Sequence, residues 1–289
     1  MNAYTLVGDL PQNQKNKRAK QNRLFRSEAQ ATMLSGDNYY KSILAHLISV
    51  LMSGGFFYAA YLFADYTSEY GIGGMSEQAV SVFTLCVCVC LCIIGAFLMF
   101  AFMLGAYRLA CDMNSCLTDK DSMEMHSVSA ILTPLSDKKH FRDTLIIFFI
   151  LALELFVCAA PTVFVFTYVG SLGFSGFAVF CIKLFTLFCS VFVGLFFVFL
   201  LLPYPYIVKS GTFDSPFRMY GASVKAALCD IWLGYNMLLS FTLWLILSAL
   251  SFGVLYFAYT MPYMTHSMAK VGEYLYNLSV TERKDINET

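Results

Sequence analysis

Apolar residues fill whole stretches of this chain on every helical face, where a soluble domain would interleave them with polar ones at a period of 3.6 or 2. The charge-poor runs lie near residues 43–64, 79–107, 144–168, 176–202, 228–249 and 252–268. A bilayer core about 30 Å thick takes about 20 helical residues, so each run predicts a membrane-crossing helix. The last two are the weakest pair. No charge occurs between Asp230 and Lys270, and only Ser248 to Gly253 resembles a turn, so one broken helix there would make the count five.

The polar intervals orient these spans, because cytoplasmic flanks are enriched in Lys and Arg. Lys15, Lys17, Arg18, Lys20, Arg23, Arg26 and Lys41 precede the first span. Arg108, Lys120, Lys138, Lys139 and Arg142 separate the second from the third, and Lys209, Arg218 and Lys225 separate the fourth from the fifth. The alternate loops, 65–78 and 169–175, hold no basic residue, and Lys270, Arg283 and Lys284 follow the last span. All basic clusters fall on one side only for an even count, which predicts six spans with both ends in the cytoplasm. Residues 1–38 lack an apolar core, so the first span is expected to serve as the targeting signal.

Three exits from the even spans resemble one another: Leu104-Gly105-Ala106-Tyr107-Arg108, Leu202-Pro203-Tyr204-Pro205-Tyr206 and Met261-Pro262-Tyr263-Met264-Thr265. Short amphipathic segments, Arg26 to Leu34, Ser127 to Leu135 and Phe217 to Cys229, precede the odd spans. The expected fold is therefore all-α: a polytopic transmembrane helical protein of about six spans, arranged as three tandem hairpins with amphipathic cytoplasmic segments. Residues 1–40 would form a basic cytoplasmic tail, 41–277 the six-helix transmembrane domain, and 278–289 a cytoplasmic C-terminal tail. An aromatic belt at the membrane interface would account for the exit tyrosines equally well.

Composition agrees with lipid as the solvent. Of 289 residues, 58% are hydrophobic and 13% charged, against about 25% charged in a soluble domain. The net charge of zero gives no general attraction to nucleic acid. Cys86, Cys88, Cys90 and Cys92 are two apart, a spacing that turns about 200° per step on a helix, so they cannot converge on one metal. Cys158, Cys181 and Cys189 sit in apolar runs, and only Cys111, Cys116 and Cys229 are expected near cytoplasmic water. Neither a metal nor another cofactor is expected.

Around the first span, Arg26-Ser27-Glu28-Ala29 through Leu34-Ser35-Gly36-Asp37-Asn38-Tyr39-Tyr40-Lys41 resembles the opening of an uncharacterised bacterial six-helix membrane family. The same likeness extends through Leu202-Pro203-Tyr204, Lys225-Ala226-Ala227-Leu228, Ser240, Trp244 and Met261-Pro262-Tyr263, covering roughly residues 24–277. That family is a domain of unknown function, similar to the membrane domain of some glycerophosphodiester phosphodiesterases. The long first outer loop and the cysteine-rich second span depart from its pattern. The resemblance implies a six-helix fold and no defined activity, and the hydrolytic domain of those enzymes is not expected here.

Ionisable residues inside spans are the first candidates for function, because burying a charge in hydrocarbon is costly. Glu154 falls near the midplane of the third span, and Lys183 about 10 Å below the outer end of the fourth. Side chains lean toward their helix N-terminus, which sends these two apart, so a direct pair is not expected. Lys183 can snorkel outward, whereas Glu154 needs a proton, a partner helix or an aqueous cavity. Asn236, Tyr235, Tyr256, Tyr259 and Tyr263 could line a polar cavity or bond helix to helix. Pro161, Pro203 and Pro262 are candidate kinks.

Catalytic signatures are missing from the sequence. His46, His126, His140 and His266 stand apart, with interfacial roles expected for His46 and His266, and no nucleophile elbow or phosphate loop occurs. Asn277-Leu278-Ser279 matches a glycosylation triplet that a cytoplasmic location would leave inert. Gly54, Gly55, Gly95, Gly105 and Gly194 would allow close helix packing. The expectation is a non-enzymatic membrane subunit or scaffold in the cell membrane, in contact with the bilayer and with a membrane or cytoplasmic protein partner. A small-solute or lipid permease using Glu154 is the alternative. The basic residues of 15–26 either lie on an anionic leaflet or only set the topology.

Overall fold

The computed structural model describes residues 12–74, 76–116, 128–172, 175–251 and 253–287. Residues 1–11, with Lys120 and His126, lie outside these. The described residues form ten α-helices and no strands: α1 (Gln12–Met33), α2 (Asn38–Tyr70), α3 (Glu77–Cys116), α4 (Lys138–Tyr168), α5 (Gly176–Leu200), α6 (Tyr204–Ser210), α7 (Pro216–Leu228), α8 (Ile231–Leu239), α9 (Thr242–Leu250) and α10 (Met261–Asn287). A 3-10 helix (Val128–Leu135) precedes α4, and a π-helical turn (Tyr256–Thr260) leads into α10.

Local chemistry sets several boundaries. Gly71 ends α2 with φ 66°, and Gly211 ends α6 in the left-handed conformation at φ 63°, both open to glycine without strain. Asp137 caps α4 by accepting from the His140 amide at 2.8 Å, and Ser175 caps α5 by accepting from Ala178. Pro161 sits inside α4, and the helix continues through it from Lys138 to Tyr168.

Five stretches are long and apolar enough to cross a membrane: Asn38–Tyr70, Glu77–Asn114, Lys138–Ser171, Gly176–Ser210 and Ile231–Leu250. This is a multi-pass membrane protein. The expected span over 252–268 is not a sixth such helix. After the turn at Ser251, with Gly253 at φ 83°, the chain folds back antiparallel to α9: Ser248 and Thr260 hydroxyls lie 2.8 Å apart, and Trp244 packs on Tyr259 at 5.0 Å. The π-turn then feeds α10, whose Thr265, His266, Ser267, Lys270 and Glu273 face other helices rather than lipid.

The α2–α3 hairpin is closed by Thr84 donating to Thr67 at 3.0 Å and by Gly95, whose absent side chain leaves room for Phe56 and the Ser53 carbonyl. The α4–α5 hairpin is closed by Thr162 and Ser190 at 2.6 Å, with Gly194 against Leu155. Gly54 and Gly55 meet nothing within 4 Å, so the packing role expected of them is not used within the chain. Burial concentrates where the hairpins join, at residues such as Ala101, Leu109, Ile147, Leu200 and Leu233, whereas Phe156, Phe164, Phe177 and Phe185 lie exposed on the far half of α4–α5. Only 11% of the most apolar stretch of α4 is buried within the chain, as befits a helix meant for lipid.

Candidate functional site

The predicted intramembrane residues separate into three places. Glu154 on α4 accepts a 2.5 Å hydrogen bond from Tyr220 of the amphipathic α7, while its second oxygen, Oε2, has no partner among the described residues. Burial first, then the Glu154 carboxyl, pushes the Tyr220 hydroxyl well above its usual range, so it stays a donor. Lys183 on α5 lies over the Phe166 ring of α4 at 5.3 Å. These contacts leave Glu154 and Lys183 unpaired with each other, as the lean of the side chains predicts.

Asn236 and Tyr259 belong to a different neighbourhood, beside α1. Tyr259 accepts from Gln30 at 3.4 Å and packs on Tyr263 at 5.5 Å. Asn236 lines a cavity of about 510 Å³ between α1 and α8, together with Arg18, Asn22, Arg23, Arg26, Trp232 and Ser240. Pro203 sits at the turn between α5 and α6, and Pro262 follows the π-turn at the start of α10. Both stand where one helical segment gives way to another.

The densest polar site is a buried junction at the ends of the hairpins, built by the exit tyrosines. The Tyr107 hydroxyl shares its one proton between the Leu202 carbonyl at 2.9 Å and the Met268 carbonyl at 3.1 Å, so the second-span exit meets the fourth and α10 at once. Tyr206 donates to Ala269 O at 2.9 Å. Gly272 lets this happen, since a Cβ there would run into the Leu202 carbonyl and the Tyr107 hydroxyl. No family model, curated protein or solved structure matches the chain.

Beside the tyrosines, Ser42 and His266 Nε2 are 2.9 Å apart, His46 Nε2 and Thr265 3.0 Å apart, and Asn114 donates to the His266 carbonyl at 3.0 Å. His46 and His266 are buried in this junction, at 2% and 0% exposure. Cys111, expected near water, is buried in the same junction. At its rim Lys270 bridges Glu28 of α1 at 3.8 Å and Glu273 at 3.3 Å. Among the described residues no group of His, Cys, Asp and Glu is arranged to hold a metal ion.

Sequence reasoning singled out the exit tyrosines for their repetition but did not pair them with carbonyls of other spans. It missed the histidine cluster altogether. The available signal was a His46–Ser42 spacing of four on one helical face, with Thr265 and His266 adjacent in a polar patch.

Proposed function

We propose that the chain is a non-enzymatic membrane subunit that scaffolds a partner, with both ends in the cytoplasm. The observation that carries this reading is that the two intramembrane ionisable residues turn to separate neighbours on the chain itself, Glu154 to Tyr220 through one of its oxygens and Lys183 to Phe166. A carrier needs polar groups turned toward a shared route, and these two turn to separate neighbours. In the polar junction Tyr107, Tyr206 and Asn114 likewise donate to carbonyls of its own helices, which is the pattern of an assembly joint. Packing of Phe25 on Tyr274 at 5.7 Å holds α1 against α10 and supports ends on one side, which the basic flanks make the cytoplasm.

Purification in mild detergent followed by identification of bound proteins tests the reading. A stoichiometric partner is expected, retained by Glu154→Gln, because Gln still accepts from Tyr220. A lone chain whose reconstituted solute flux changes on Glu154→Gln would replace this reading with a permease.

A further inference from the structure

We infer that the cavity between α1 and α8 is a binding site for the headgroup of an anionic glycerophospholipid that carries hydroxyl groups. The inference rests on how two helical stripes face each other. Arg18, Asn22 and Arg26 recur every four residues on α1, flanked by Ala19 and Arg23, and Trp232, Asn236 and Ser240 recur every four residues on and just beyond α8. Arg18 clasps Asp230 at 2.8 Å at one end of the pair, and Arg26 lies over Phe241 at 5.3 Å at the other. The two helices therefore run side by side in the same direction, with the cavity of about 510 Å³ between them.

Its chemistry selects a phosphodiester. Among the described residues three arginines line it and no carboxylate does. Asp230 offsets Arg18 from beyond the lining, leaving Arg23 and Arg26 in excess. Arg26 is held in place by Phe241 and Tyr263, and its Nε donates to the Tyr263 hydroxyl at 3.3 Å, which uses one of five guanidinium donors. A preformed guanidinium plane is the usual partner of a phosphate.

A second observation points to hydroxyls on the ligand. Asn22 is 7% exposed, and its Oδ1 has no hydrogen-bond partner among the described residues. A buried amide oxygen left without a donor costs free energy, and a headgroup hydroxyl supplies one. Asn236 and Ser240 on the opposite wall add polar groups of either sense.

The surroundings favour a lipid over a free phosphate. Leu24 on α1, Leu239 at the end of α8 and Leu243 at the start of α9 are exposed, a surface suited to acyl chains. Trp232 beside the arginines matches the interfacial level at which headgroups sit. Basic pockets between membrane helices on the cytoplasmic side bind lipid headgroups by this combination.

Native mass spectrometry of the full chain in mild detergent tests the site, with phosphatidylglycerol, phosphatidylcholine of the same acyl chains, and glycerol phosphate as probes. The expected result is one tightly retained phosphatidylglycerol, weakened roughly fivefold by Arg23→Gln, with phosphatidylcholine and glycerol phosphate much weaker. Arg23 is exposed, so that variant spares the fold, and Arg218→Gln on α7 serves as the charge control. Equal retention of phosphatidylcholine, or equal weakening by Arg218→Gln, would overturn the site as a specific one. Glycerol phosphate binding as tightly as the lipid would overturn the lipid assignment.

Discussion

Tyr220 and Gly272 show what single residues do here. Glu154 stands out in the sequence because a carboxyl inside an apolar run demands an explanation, but its partner lies 66 residues away on a helix that reads as a connector. Only packing brings them together, so the acid was legible and its satisfaction was not. Replacing Tyr220 by Phe leaves the carboxyl without its donor and is expected to cost about 1–3 kcal/mol, read as a lower melting temperature in detergent. Gly272→Ala forces a methyl into the Leu202 carbonyl and is expected to cost about 1–3 kcal/mol in the same assay. Unchanged melting in either variant contradicts the corresponding contact. Gly272 could not be singled out beforehand: it sits in a polar helix, and its constraint comes from α3 and the end of α5.

At the scale of elements, hydropathy located the long hairpins well, since runs of apolar residues need only a bilayer to become helices. It failed over 252–268, where Val254, Phe257 and Met261 make the segment look like a span while Thr265, His266 and Lys270 tie it to α2, α3 and α1. Average hydropathy cannot tell an apolar stretch that meets lipid from one that meets protein. The amphipathic α1 was legible as a helix, but its docking on α8 was not. Its clasp there is the Arg18–Asp230 pair, largely shielded from water, with burial pushing the Asp230 carboxyl up and the arginine pulling it down. Arg18→Ala is expected to loosen the start of α1, so that trypsin cleaves after Lys20 and Arg23 several times faster than in the parent. An unchanged cleavage rate would mean that the pair does not hold the helix.

For the whole molecule, two long apolar hairpins rise from a joint in which α1 and α10 pack together. The exit tyrosines, read from sequence as a repeat, prove to be the struts of that joint, with Tyr107 and Tyr206 bonded to carbonyls across it. Under the proposed reading, the one-sided basic residues put both terminal segments and the α6–α7 turn on the cytoplasmic side and the α2–α3 turn outside, which requires the fold-back after Ser251 to return the chain from the fifth apolar stretch. Epitope tags placed singly at Gly73, at Gly211 and after Ser279, probed by antibody in intact and permeabilised cells, test it directly. The account predicts that only the Gly73 tag is seen in intact cells and all three after permeabilisation. A tag after Ser279 that is accessible in intact cells would contradict it.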